Sequence, residues 1–152
     1  MRRIEMVLVI LLFGAYPVMA ASEEKMPPPY DKTISNTQAL DIVESVCREY
    51  FGKPQLSTNA AYFLYLFGKD PSPEFLNRFA AQAPSVKKGT EFARGLGLKL
   101  YVMSIKRISD AKVEVPCSWT KGRSEEGGGF TSIVEFKEGK WVVTEVALRY
   151  VF

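Results

Sequence analysis

The two cysteines, Cys47 and Cys117, are the residues of this sequence that could most readily do covalent chemistry. The chain has 152 residues and no histidine, which excludes Ser-His-Asp and Cys-His nucleophiles and every His-ligated metal centre. Without an imidazole to deprotonate it, neither thiol is predicted to be a catalytic nucleophile. Two cysteines alone cannot complete a structural zinc site either. We therefore predict no metal and no cofactor.

A disulfide between Cys47 and Cys117 is the simplest role for the pair in an exported chain. Cys47 falls on the apolar face of a predicted helix, and Cys117 on the inward face of a predicted strand. Closing a loop of about 71 residues would stabilise the fold by about 4 kcal/mol in the chain-entropy model. The alternative is two buried free thiols that pack as small apolar groups.

Glu145 is the carboxylate whose position suggests acid–base chemistry. It falls between Val143 and Ala147 on one face of the predicted final strand. A carboxylate among apolar neighbours that faces a cavity has a raised pKa. We place it with the aromatic residues Tyr101 and Trp119 as a candidate pocket for a small apolar ligand. The alternative is that Glu145 simply lies on the solvent face.

The glycine triplet Gly127-Gly128-Gly129 is a weak candidate for a phosphate-binding loop. Such a loop needs a strand before it and a helix N-terminus after it, whereas here a strand follows. We predict a mobile hairpin loop instead.

The two segments that precede the predicted domain are predicted to be an export signal and an extended spacer. Arg2 and Arg3 precede a short apolar run that ends in small residues at Ala20, as in a signal peptide. Residues 21–34 contain three consecutive prolines and no apolar periodicity, so an extended leader is predicted. One domain is then expected over residues 35–152. The protein is predicted to be secreted or periplasmic, with no membrane anchor once the signal is cleaved.

The first half of the domain has helical signals. Ser35 and Gln38 form a capping-box pattern ahead of an amphipathic run that ends near Phe51. Residues 57–67 are apolar on most sides, and we favour a helix there over a buried strand. Ser72-Pro73-Glu74 predicts a third helix start, with a hydroxyl cap and a proline in the first turn.

The second half alternates as strands do. Strands are predicted from Leu98, from Lys112 to Thr120, from Phe130 to Phe136 and from Trp141 to Phe152. Pro116 has no backbone N–H to donate to a neighbouring strand, so its strand is expected at a sheet edge or a bulge. Val113, Val115 and Pro116 are therefore a candidate interaction edge, where the proline either guards the edge or marks a recognition site. The predicted class is α+β, with N-terminal helices packed on a curved four-stranded antiparallel meander.

Four segments between about residues 70 and 143 resemble a family of small uncharacterised secreted bacterial proteins. They are DPSPEFL with RFA from Asp70, PSVKKGT from Pro84, ISDAKVEV from Ile108 and GKWVV from Gly139. That family implies no activity. The order of helices and strands also resembles the NTF2-like and cystatin-like folds, and NTF2-like enzymes imply a pocket carboxylate with a tyrosine, a role that Glu145 would take.

Three functions follow as hypotheses. The first is a non-enzymatic binding module of the cell envelope or secretome, whose partner is a protein or a small apolar ligand. The second is an NTF2-like small-molecule enzyme that uses Glu145, and the third is a structural or stress-related envelope protein. The 20 basic and 17 acidic residues are evenly spread, so nucleic acid is not expected as a partner.

Overall fold

The computed structural model describes residues 29–53, 60–93, 97–122 and 126–152. The predicted signal peptide and most of the predicted leader lie outside these residues. The end of the leader that is described lies against the domain, since the Ile105 amide donates to the Pro29 carbonyl at 2.9 Å. Within the described ranges, no helix is both long enough and apolar enough to cross a bilayer.

Helix α1 spans Asn36–Phe51 and begins as the sequence predicts. The Ser35 side chain accepts from the Gln38 amide, and the Gln38 side chain accepts from the Ser35 amide. One face of the helix is buried, and it includes Val43, Cys47 and Phe51. Amphipathic spacing therefore fixes both the helix and the face that it turns to the sheet.

Strand β1, Tyr62–Leu66, occupies the segment where a helix was favoured, so that prediction is wrong. The strand pairs in parallel with β2, Val86–Lys88, and with β3, Leu98–Val102. Parallel strands are covered on both faces, which gives them a continuous apolar sequence rather than an alternating one. The apolar run is therefore a consequence of double burial, which periodicity alone does not separate from a buried helix.

A short helix, α2, spans Pro73–Asn77 and connects β1 to β2. The Ser72 hydroxyl accepts from the Phe75 amide at its start, as the cap pattern predicts. Arg78, which follows the helix, forms ion pairs with Asp41 at 2.7 Å and Glu44 at 2.9 Å on α1. A 3-10 turn, Gly89–Glu91, follows β2.

The remaining strands are β4, Lys106–Ser109; β5, Lys112–Lys121; β6, Gly127–Lys137; and β7, Lys140–Val151. The seven strands form one mixed sheet with the order β2-β1-β3-β5-β6-β7, and β4 also pairs with β5. The ladders from β3 to β7 are antiparallel. Helix α1 packs on one face of this sheet, where Phe51 stacks on Tyr62 and Tyr50 stacks on Phe130.

The predicted fold class is therefore wrong. Helices packed on a four-stranded antiparallel meander were expected, whereas the described chain has two α-helices and a seven-stranded mixed sheet. Three strands, β1, β2 and β4, were missed. Two of them form the parallel part of the sheet, which excludes the antiparallel NTF2-like and cystatin-like arrangement.

Candidate functional site

The two ends of the sheet differ in how they are protected. At one end, β2 has three residues, two of which are lysines. At the other end, β7 has twelve residues and no proline, and among the described residues it has a partner strand on one side only. Short edge strands and lysines discourage pairing with other chains, whereas a long edge strand offers a row of backbone donors and acceptors. Among the described residues, the sheet therefore has two short edge strands that carry lysine, β2 and β4, and one long open edge, β7.

The C-terminal half of β7 exposes apolar side chains at this open edge. They are between 38 % and 69 % exposed: Val146, Leu148, Tyr150, Val151 and Phe152. The N-terminal half differs, because Trp141 and Val143 pack against the core. We use the name "β7 edge" for the unpaired side of β7 with these five exposed residues.

The backbone of β6 decides which groups of the β7 edge are free. The Gly127 amide donates to the Phe152 carbonyl at 3.1 Å, and the Phe152 amide donates back at 3.0 Å. Backbone groups alternate in direction along a strand, so the N–H and C=O of Val151 point away from β6. By the same alternation, the backbone N–H and C=O groups of Thr131 and Ile133 point to β7, where these residues pair with Ala147 and Glu145. The backbone N–H and C=O groups of Val146 and Leu148 therefore also point away from β6.

The glycine triplet lies at the start of β6, so the predicted mobile hairpin loop is wrong for these residues. A Cβ atom on Gly127 would lie 2.5 Å from the Phe152 ring, and one on Gly129 would lie 2.6 Å from the Tyr150 ring. The glycines thus leave room for these rings to lie flat on the sheet. Tyr150 and Phe152 stack with ring centroids 6.0 Å apart, which holds the exposed aromatic pair in place.

Glu145 lies in β7 opposite Ile133 and is exposed. It lines neither of two surface cavities near Pro29 and Tyr30, whose volumes are about 390 Å³ and 530 Å³. The enclosed pocket that the enzyme hypothesis required is thus not built around this carboxylate. Two polar residues that line the smaller cavity already have protein partners, since Asp70 accepts from Thr90 and Asn36 accepts from Tyr30.

Tyr101 and Trp119 do not join Glu145 in one pocket. Trp119 pairs with Leu100 and packs against the core on the helix side of the sheet. Tyr101 is one residue further along β3 and therefore lies on the opposite face. There its ring makes an edge contact with Tyr65, and the Lys99 ammonium lies 4.8 Å from both ring centroids.

Val113, Val115 and Pro116 lie in an interior strand, so the predicted interaction edge is wrong. β5 pairs with β6 on one side and with β3 and β4 on the other. The Pro116 carbonyl accepts from the Met103 amide at 3.1 Å, so the missing N–H of Pro116 also points to that side. Pro116 lies beside the break between β3, which ends at Val102, and β4, which begins at Lys106. The proline is tolerated because no donor is required there.

Cys47 and Cys117 are both free thiols and both buried, so the structure does not contain the predicted disulfide. Burial is the main cause of a raised pKa for both thiols, and it raises the pKa of Cys117 to about 12. Both side chains belong to the same buried core, Cys47 from helix α1 and Cys117 from strand β5. They pack as small apolar groups, which is the alternative that the sequence left open.

Sequence reasoning missed the β7 edge because it placed the candidate interaction edge on the strand that contains Pro116. The final strand itself was predicted. The signal available in the sequence was the row of apolar residues in the final strand, which does not by itself show which strand forms an edge. Among the described residues, no three His, Cys, Asp or Glu side chains meet as a metal site requires.

Comparisons with protein-family models, with curated proteins and with solved structures found no match to this chain. The resemblance to a family of small secreted bacterial proteins stays a prediction. The candidate site therefore rests on the geometry of the sheet.

Proposed function

We propose that this protein is an exported, non-enzymatic interaction module that binds an extended polypeptide along the β7 edge. The observation that carries the proposal is a twelve-residue edge strand with outward-facing backbone groups and exposed apolar side chains. Strand addition uses these two features, because the backbone supplies affinity and alternate side chains supply specificity. The stacked Tyr150 and Phe152 rings add large, rigid contact area.

The position of contact is tested with a photo-crosslinking amino acid at Leu148, in the protein exposed to an extract of the cell envelope. The matched control carries the same amino acid at Ile108, which is also an exposed apolar residue but lies on β4. Adducts are expected from position 148 and not from position 108. Equal adducts from both positions would show nonspecific contact and contradict the proposal.

Backbone pairing is tested with Val151→Pro and Val151→Thr. The proline removes an outward N–H while leaving the bonds between β6 and β7 intact, and threonine keeps the N–H but makes the side chain polar. We expect Val151→Pro to reduce the yield of the Leu148 adduct at least about tenfold, because it deletes one bond and its ring obstructs the partner strand. Val151→Thr is expected to retain most of the adduct. Equal yields in the two variants would exclude strand addition.

A further inference from the structure

The charges of the β7 edge are complementary to themselves. Glu145 and Arg149 are exposed and lie two residues to either side of Ala147. Within the described part of the chain, neither of them forms an ion pair. When two β7 strands pair antiparallel with Ala147 opposite Ala147, each Glu145 faces the Arg149 of the other copy. A twofold axis therefore creates two opposite-charge pairs from one sequence.

Backbone geometry fits the same register. Val146 and Leu148 direct their N–H and C=O groups outward, as derived from the β6 ladder. With Ala147 on the twofold axis, Val146 of one copy faces Leu148 of the other, and these residues form the hydrogen-bonded pairs. Ala147 itself forms the closer, non-hydrogen-bonded pair, which its small side chain permits.

Apolar residues flank the charged pairs in this register. Val143 faces Val151 of the second copy, and Val142 faces Phe152. Arg149 reaches the sheet through its Nε, which donates to the Thr131 hydroxyl at 2.9 Å. That bond leaves the Nη groups chemically able to bind a carboxylate.

Neighbouring registers lose the charge pairing. A shift of two residues places Glu145 opposite Ala147 or Val151, and Arg149 opposite Val143 or Ala147. A shift of one residue pairs side chains from opposite faces of the two sheets. The charges therefore select the register centred on Ala147.

We propose that the occupant of the β7 edge is a second copy of this chain, paired antiparallel about Ala147 to form one continuous sheet. This inference rests on the proposed function, since it names the partner at that edge. Association stops at two copies, because the dimer uses both β7 edges and leaves, among the described strands, only the short, lysine-bearing edges of β2 and β4.

Charge reversal tests the register by analytical ultracentrifugation of the purified chain. Wild type is expected to dimerise, and Glu145→Arg or Arg149→Glu alone is expected to raise the dimer dissociation constant about thirtyfold, because two attractive pairs become repulsive. A mixture of the two single variants regains dimerisation, as does the double variant. Glu91→Arg, which makes the same change of charge on an exposed residue at the opposite end of the sheet, leaves dimerisation unchanged. A monomeric wild type, or a dimer indifferent to both reversals, overturns the inference.

A second measurement does not depend on charge. Ala147→Cys places two thiols together at the twofold axis, whereas Leu148→Cys places each thiol opposite Val146. Under mild oxidation, Ala147→Cys is expected to form an intermolecular disulfide and Leu148→Cys is not. Equal cross-linking of the two variants overturns the register. If wild type is monomeric while the Leu148 photo-adduct with another protein still depends on Val151, the dimer fails and the proposed function stands.

Discussion

Gly97→Ala is expected to lower the free energy of unfolding by about 4 kcal/mol. Gly97 has φ of 132°, a conformation that costs an L-residue about 1–2 kcal/mol. A Cβ atom there would overlap the carbonyl oxygen of Ala61 and lie 2.9 Å from its nitrogen. Because both atoms are backbone at the start of the β1–β3 ladder, relieving the overlap requires the strands to move, which costs a further 1–3 kcal/mol, roughly.

Gly68→Ala is the matched control for this substitution. Gly68 also has positive φ, at 80°, but nothing lies within 4 Å of its Cβ position. Gly68→Ala is therefore expected to lower the free energy of unfolding by about 1 kcal/mol, because only the backbone conformation is unfavourable for alanine. Urea unfolding followed by circular dichroism measures both losses, and similar values for the two variants would contradict the close approach of Gly97 to Ala61.

Raising the pH above about 9 is expected to destabilise the protein steeply. Burial raises the pKa of Cys117 from its ordinary value of 9.0 to about 12, and it raises the pKa of Cys47 as well. Between these values the unfolded thiols have lost their protons while the folded thiols retain them. The unfolded state binds fewer protons, so stability falls as pH rises, by about 1.4 kcal/mol per pH unit for each thiol.

Urea unfolding at several pH values between about 8.5 and 11 measures this slope. Cys117→Ala is expected to reduce the slope by the contribution of one thiol, and Cys47→Ala/Cys117→Ala by that of two. Burial raises the pKa of Tyr50 too, and its contribution begins only above about pH 10. A reduced wild-type protein with no slope near pH 9.5 would show that the thiols are not buried. A slope that appears only after reduction would instead reveal the disulfide that the sequence predicts.

Several elements follow from local sequence because their determinants lie within a few residues of one another. Ser35 and Gln38 satisfy each other's backbone groups at the start of α1, and Ser72 caps α2 ahead of Pro73. The turn between β6 and β7 has positive φ at Glu138 and Gly139, as a tight hairpin requires. Strand β5 also alternates in burial from Lys112 to Ser118, as its sequence predicts.

Other features were decided by residues distant in sequence. β1 is a strand because β2 and β3 pair with it on both sides, whereas its own apolar run equally suits a buried helix. Pro116 lies inside the sheet because β3 ends and β4 begins beside it, a coincidence that no local pattern encodes. The glycine triplet forms a strand because it pairs with β5 on one side and with β7 on the other.

The candidate site shows the same division. Sequence by itself determined that the final segment is a strand, that it contains Glu145 and Arg149 four residues apart, and that no histidine is present to support familiar catalysis. Only the tertiary structure decided that this strand is the open edge of the sheet and that Glu145 is exposed rather than enclosed. The physical reason is that the alternation of apolar and polar residues determines which residues of a strand share a face. Long-range pairing sets the order of the strands, and that order determines which face and which edge stay uncovered.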